Sequence, residues 1–247
     1  MNQTKDDVCV LNMEDEELYR FGSECPAKVV WFSSKRKPEI GAYVQGDDIR
    51  YTDGTTDELM LNVHDMNLLG THNYENVCAA IAMTKAAGIP DDIIVQQVKK
   101  FKAVEHRIEY VATKNDVWYY NDSKGTNVDA TTVALKAFDK PVILLAGGYD
   151  KKTGFEGLKP VLDRIATMIV YGETRDQLKA LRPDAIVVET MAEAVDQACQ
   201  LAKKGDIVLL SPVCASWDQF TDYEQRGRQF KEQVLALAGQ ADEKNSL

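Results

Sequence analysis

Four short polar segments hold most of the chemistry this chain could perform. Asn121-Asp-Ser-Lys-Gly-Thr-Asn127 packs a carboxylate, a lysine, hydroxyls and amides into one stretch. Asp122 can accept bonds from ribose hydroxyls or help hold a metal, and Lys124 can meet an anionic oxygen. Gly125 lets backbone approach a ligand. The same composition also suits a polar loop that caps a helix starting at Val128. Gly147-Gly-Tyr-Asp-Lys-Lys152 pairs glycines that permit a sharp turn with lysines that can contact an anion. It is neither the G-x-G-x-x-G fingerprint nor a P-loop, and a tight turn with solvated lysines fits nearly as well. In Ser211-Pro-Val-Cys-Ala-Ser-Trp-Asp-Gln-Phe220, Ser216 and its neighbouring amides could hold a carboxylate at a helix start. Cys214 has no nearby histidine and reads as a small buried thiol. Without a G-x-S-x-G elbow, a serine hydrolase is excluded. Upstream, Gly70-Thr-His-Asn-Tyr-Glu-Asn76 opens a helix and sets His72 and Asn73 near Asn76 on its first turn. Thr71 or Asn73 could instead be an N-cap. His106-Arg107 adds a fixed cation, whereas His64 stands alone and reads as surface.

These segments need elements to hold them. Val8 to Leu11 reads as a short buried strand. Lys28 to Ser33 is a second strand, and Ala42 to Gln45 and Ile49 to Thr52 flank a tight hairpin at Gly46-Asp47-Asp48, with Leu59 to Val63 a further candidate. Between Tyr74 and Ala87 a helix would bury Val77, Ala80, Ile81 and Thr84, and Gly88-Ile89-Pro90 would end it. A second helix from Asp91 would bury Ile94, Val98 and Phe101. From about Glu105 the rhythm becomes strand–helix alternation. Strands are expected at Ile108 to Ala112, Val117 to Asn121, Val142 to Ala146, Met168 to Tyr171, Ala185 to Val188 and Ile207 to Leu210. Continuous apolar runs at Val142 to Ala146 and Ile207 to Leu210 mark parallel strands covered on both faces. Amphipathic helices carrying Phe155, Leu158, Leu162 and Ile165, and Met191, Ala194, Val195 and Ala198, lie between them. This is a doubly wound α/β domain, in which ligands bind beyond the carboxyl ends of the strands. That rule selects residues 121–127, 147–152, 172–174 and 211–220. The residues after Gly239 read as a loose polar tail.

Composition narrows the function. The chain has 247 residues, 45% of them hydrophobic, enough for one large domain or two small ones. A formal net charge of -10 argues against a general nucleic-acid binder. The five cysteines are scattered without a C-x-x-C pair, which fits reduced thiols and a cytoplasmic setting. No apolar run approaches the roughly 18 residues of a membrane span, and the polar start has no signal-peptide core.

In order and spacing the segments resemble the Mur ligase family. Gly70-x-His72-Asn73-x-x-Asn76, His106-Arg107, Asn121-Asp122-Ser123-Lys124-x-Thr126-Asn127, Gly147-Gly148 with Lys151, and Ser211-Pro-x-Cys-Ala-Ser216-x-Asp-Gln-Phe220 followed by Arg226-Gly227 all appear. The likeness runs from about Val8 to Gly239. The N-D-S-K-x-T-N form looks like that of the D-glutamate-adding members. The resemblance implies residues 1–104 to be the C-terminal part of the family's central ATP-binding domain. It implies residues 105–240 to be its Rossmann-like C-terminal domain, with 241–247 the tail.

The reaction implied is ATP-dependent ligation in peptidoglycan precursor synthesis. ATP phosphorylates the carboxylate of UDP-N-acetylmuramoyl-L-alanine, the amino group of D-glutamate attacks the acyl phosphate, and phosphate leaves. Such chemistry depends on positioning and charge neutralisation rather than on a side-chain nucleophile. By the resemblance, Asn73, Asn76, Arg107 and Asp122 contact the adenosine part of ATP, and Lys124 and His72 lie by the reacting groups. Thr126 and Lys151 hold one carboxylate of D-glutamate, with Ser216 and Tyr223 at the other. Tyr223 stands where the family often has phenylalanine, and Gly125 replaces the usual alanine, which would loosen that loop slightly. The P-loop, the UDP-binding domain and the carbamylated lysine that helps hold magnesium all precede, in the family, the point where this sequence starts. The chain is therefore expected to be inactive alone, with ATP and Mg2+ serving the full-length enzyme and the missing N-terminal half as its partner. Two other readings keep the family: a non-catalytic module that binds D-glutamate or a nucleotide, and a ligase for another amino acid. A Rossmann-type dehydrogenase fails on the absent G-x-G-x-x-G.

Overall fold

The computed structural model describes residues 2–102 and 104–237 and divides into two compact units, Met1–Lys102 and Ala103–Leu247. The N-terminal unit runs β1 (Val8–Asn12), α1 (Glu16–Glu24), β2 (Lys28–Ser33), β3 (Gly41–Gln45), β4 (Asp48–Thr52), β5 (Asp57–Asn62), α2 (Thr71–Ala86) and α3 (Asp91–Lys100). Its sheet has the order β1-β2-β3-β4-β5. The first three strands are parallel and the last two antiparallel. The expected hairpin at Gly46 joins β3 to β4, with Gly46 at φ 61°.

Four expectations change here. The first strand is not buried, since Leu11 is its one buried residue and Val8 is 40% exposed. Helix α1 is an addition to the expected elements and buries no residue fully; Asp15 starts it by accepting from the amides of Glu17 and Leu18. On α2 the buried residues are Val77, Cys78, Ile81 and Ala82, so the face is turned away from Ala80 and Thr84. Phe101 caps α3 at its C-terminus and is 52% exposed, because the helix ends before its side chain can join Ile94.

The C-terminal unit is Rossmann-like. It contains β6 (Glu109–Lys114), β7 (Val117–Asn121), α4 (Val128–Lys136), β8 (Val142–Gly147), β9 (Ile165–Tyr171), α5 (Arg175–Leu181), β10 (Ile186–Val187), α6 (Met191–Leu201), β11 (Ile207–Leu210) and α7 (Tyr223–Ala236). Its sheet order is β10-β9-β8-β11-β7-β6, parallel except for β6. Every residue of β8 and β11 is buried, as their unbroken apolar sequences require. One face of the sheet packs Tyr119, Leu145, Ile169 and Leu210 against Ala194, Val195 and Ala198 of α6 and Phe230 and Val234 of α7. Alternation turns Leu144, Met168 and Leu209 to the opposite face.

The segment expected to be an amphipathic helix through Ile165 is a 3-10 helix, Glu156–Arg164. Pro160 within it lacks the amide an α-helix needs, and Ile165 already opens β9. Strand β10 has only two residues, not the four of Ala185 to Val188.

The chain leaves β7 for β8, moves outward through β9 and β10, then returns to insert β11 between β8 and β7. This reversal is the switch point at which doubly wound sheets open a crevice. It brings residues 121–127, 211–220, 147–152 and 172–174 side by side at one sheet end.

Candidate functional site

Asn121 ends β7 fully buried and does structural work with every polar atom. Its amide nitrogen lies 2.9 Å from His106 Nδ1 and donates to Glu109 Oε2 at 3.0 Å, while its oxygen accepts from the Ser123 amide at 3.1 Å. His106 is itself buried, at φ 66°, and burial lowers its pKa. The Glu105, His106 and Glu109 ligand atoms are close enough to suggest a cation site, the one such group among the described residues. Lys231 already bridges Glu105 and Glu109 at 2.7 and 2.9 Å. A carboxylate pair already bridged by an ammonium, with an imidazole beside it, is a poor donor set for magnesium, which demands oxygen ligands in octahedral geometry. These residues do not fit that ion.

Asp122 is only 4% exposed. Its Oδ1 accepts from the Ile108 amide at 3.2 Å and its Oδ2 from the Ser211 hydroxyl at 2.7 Å. The Ser211 oxygen lies 2.9 Å from that of Thr131 in turn. Burial pushes the Asp122 carboxyl up to about 7, against the opposing effect of these bonds and of Arg107 and Arg226. Gly125 is the reason this packing is possible. A Cβ there would collide with Asp122 Oδ2 and lie 2.6 Å from Ser211 Oγ. The glycine is tightly packed rather than a source of slack, contrary to the expectation that it loosens the loop.

Lys124 is exposed, with Nζ 5.5 Å from the Tyr223 ring centroid, within cation–π range. Thr126 is half-buried, and Asn127 caps α4 by accepting from the Ala130 amide at 2.8 Å. Tyr223 is the first residue of α7, its ring edge-on to His106 and its carbonyl accepting from Ser123 Oγ at 2.7 Å. Arg107 is exposed.

At the end of β8, Gly147 and Gly148 adopt φ 145° and 138°. The carbonyl of Gly148 accepts from both the amide and hydroxyl of Thr174, at 3.2 and 3.1 Å. Asp150 accepts from the Lys152 amide at 2.6 Å and from Gln177 at 3.0 Å, which shapes the turn that presents Lys151 to solvent. The following segment is pinned beside it by a bond from the Tyr149 amide to the Ala215 carbonyl at 2.9 Å. Val213 sits at φ 66°, a strained position for a β-branched residue. Cys214 is buried with its sulfur 3.2 Å from Thr174 Oγ1, and burial pushes its thiol up to about 11. It is an inert thiol, as its sequence context indicates. Ser216 is 2% exposed, and its carbonyl accepts from the amides of Gln219 and Phe220.

His72, Asn73 and Asn76 belong to the N-terminal unit, at the start of α2. Gly70 is the N-cap there, at φ 91°, so neither Thr71 nor Asn73 fills that role. Asn73 donates its amide to the Leu69 carbonyl at 2.7 Å, and Asn76 is exposed. His64 is exposed, 3.4 Å from Asp47.

One residue at the centre of the C-terminal site had no role assigned from sequence. Arg226 is completely buried, yet donates to Ser123 Oγ and to the carbonyls of Ser123, Cys214 and Ala215. The signal was present: Arg226, Phe230 and Val234 fall at i, i+4 and i+8, so a cation occupies the apolar stripe of α7.

With this geometry in hand, comparison with known proteins is direct. Residues 106–214 match the Mur ligase, glutamate ligase domain. The UDP-N-acetylmuramoylalanine--D-glutamate ligase of Lachnospira eligens is 61% identical over 242 residues, 96% of this chain and 54% of that protein. The ligase of the same name from Lachnoclostridium phytofermentans is 45% identical over 242 residues, 96% of this chain and 53% of its own length. The chain thus spans about half the length of the curated relatives it matches. In fold it resembles a pseudomurein peptide ligase type C from Methanothermus fervidus, with TM-score 0.64 and 15% identity over 92% of this chain and 56% of that one. The chain belongs to the Mur ligase family.

Proposed function

We propose that this chain carries the D-glutamate side, and part of the adenosine side, of an ATP-dependent ligase. That enzyme would join D-glutamate to UDP-N-acetylmuramoyl-L-alanine through an acyl phosphate, in the cytoplasm. Residues 1–104 are then the end of the central ATP-binding domain and 105–240 the C-terminal domain. The observation that carries this reading is the convergence of residues 121–127, 147–152 and 211–220 at one sheet end, in a chain 61% identical to a ligase of that name.

In this reading Lys151 and Thr126 bind one carboxylate of D-glutamate, and Ser216 with the Tyr223 region binds the other. An exposed ammonium above a tightly hydrogen-bonded turn is well placed to capture an anion without reorganising. Lys124 serves the reacting phosphoryl and acyl groups, and the family resemblance gives His72, on α2 of the N-terminal unit, a role of its own in that chemistry. Asn73, Asn76, Arg107 and Asp122 serve adenosine. The chain alone does not turn over UDP-muramoyl-alanine.

Calorimetric titration of the chain with D-glutamate, with L-glutamate as control, tests the reading. Selective D-glutamate binding is expected, and Lys151→Ala should weaken it by roughly a hundredfold, the loss of one charge-assisted contact worth about 2–3 kcal/mol. Preference for L-glutamate, or a Lys151→Ala variant that binds as tightly as the parent, would sink it.

A further inference from the structure

The segments proposed to hold the acceptor meet at one buried side chain. Arg226 Nε donates to Ser123 Oγ at 2.9 Å, and Nη2 to the Ser123 carbonyl at 2.8 Å. Nη1 donates to the carbonyls of Cys214 and Ala215 at 3.1 and 3.2 Å, and Nη2 again to Cys214 at 3.1 Å. Five bonds match the full donor capacity of a guanidinium. The third segment is also in reach, since a Cβ on Gly148 would lie 3.2 Å from Nη1. The fourth is the helix itself, where Tyr223 precedes Arg226 by one turn and takes a bond from Ser123.

We propose that Arg226 is the positioning residue of the acceptor site, fixing the segments that carry Thr126, Lys151 and Ser216 against Tyr223. The acceptor part of this inference rests on the proposed D-glutamate site. Arg226 touches no substrate, being wholly buried; it acts through the backbone of its neighbours. Its burial carries a desolvation cost that its hydrogen bonds must offset. No carboxylate is among its hydrogen-bond partners, and a buried cation without one is costly to desolvate. An apolar side chain of similar volume would avoid that cost but would leave the buried Ser123 and Cys214 carbonyls without these donors. What only the planar fork supplies is simultaneous donation in several fixed directions to two separate loops. A lysine, with its donors at one point, can serve one loop but not both.

Amide hydrogen exchange on the full chain decides this without any ligand. Arg226→Lys should speed exchange at Lys124, Tyr149 and Val213 by about tenfold or more while Leu144 and Leu209 in the sheet keep the parent rate. Ser123→Ala, which removes the Nε acceptor together with the bond to the Tyr223 carbonyl and leaves the guanidinium in place, should speed Lys124 and Gly125 while Val213 keeps the parent rate. Unchanged loop exchange in Arg226→Lys overturns the proposal. If strands and loops accelerate together in that variant, Ser123→Ala decides: local acceleration supports the positioning role, and none overturns it. D-glutamate titration of the same proteins is the functional arm, with at least about tenfold weaker binding expected for Arg226→Lys. Parent-like affinity in that variant also overturns the proposal. A parent chain that binds no D-glutamate counts against the acceptor reading instead, and the exchange data still decide whether Arg226 sets the loops.

Discussion

Gly148→Ala should destabilise the C-terminal unit by about 3 kcal/mol and loosen residues 211–220 before the rest of the sheet. Two separate costs combine. The backbone at Gly148 has φ 138°, a region essentially closed to L-residues, which costs about 1–3 kcal/mol to occupy. A methyl group there would also collide with the Ala215 carbonyl and press on Cys214 Cβ at 3.1 Å. Neither can retreat easily, because the Ala215 carbonyl is held by the Tyr149 amide and by Arg226. Overpacking against a fixed backbone adds a further 1–3 kcal/mol or so. Gly154→Ala is the matched control: its φ is 73°, but no atom lies within 4 Å of the added methyl. That variant should lose only about 1 kcal/mol, the conformational part alone. Urea unfolding followed through the C-terminal unit measures both. Equal losses in the two variants would mean the close approach of Gly148 to Ala215 does not hold in solution.

How much of this could be read from sequence depended on whether the signal was local. Strands β8 and β11 were legible because burial on both faces leaves only apolar residues along Val142 to Ala146 and Ile207 to Leu210. Their carboxyl ends then named the right loops. Helix α1 was not legible, because its apolar stripe is short, with Leu18 and Phe21 one turn apart, and no residue of it is fully buried. The 3-10 helix looks like an α-helix in sequence because Phe155, Leu158 and Leu162 have α-spacing, while Pro160 forbids the matching hydrogen bonds. At the site, the residue types were visible but their accessibility was not. Asp122, Lys124 and Ser216 look equally available in the sequence. Only the tertiary pairing of residue 122 with 211 shows that one carboxylate is sealed and the neighbouring lysine free to meet solvent. For Arg226 the local stripe marks a buried cation, but what it holds is not local, since its partners lie 103 and 12 residues away along the chain.

Asp122→Asn should remove a pH dependence of stability that runs opposite to that of most carboxylates. An aspartate paired with a cation has a lowered pKa and loses its stabilising effect in acid. Asp122 has the reverse shift, from 3.8 to about 7, because burial disfavours its charge. Its contribution is therefore complete below pH 3.8, where both folded and unfolded states are protonated. As pH rises, the unfolded chain ionises first while the folded carboxyl keeps its proton. Stability then falls by up to about 1.4 kcal/mol per pH unit until the folded group ionises near 7, and is level above that. The asparagine keeps an oxygen for the Ile108 amide, and its nitrogen can donate to Ser211, which then donates onward to Thr131. The variant should consequently gain on the parent by roughly 2 kcal/mol between about pH 5 and pH 7.5. Subtracting the two denaturation series cancels the contribution of every other group. A difference that stays flat across that interval would show the carboxylate to be hydrated and charged throughout. The same variant bears on the adenosine assignment. A carboxylate that leaves Ser211 to reach ribose hydroxyls predicts weaker ADP binding in Asp122→Asn. One that remains a buried clasp between residues 108 and 211 predicts unchanged affinity, and adenosine recognition by the C-terminal unit would then fall to exposed Arg107.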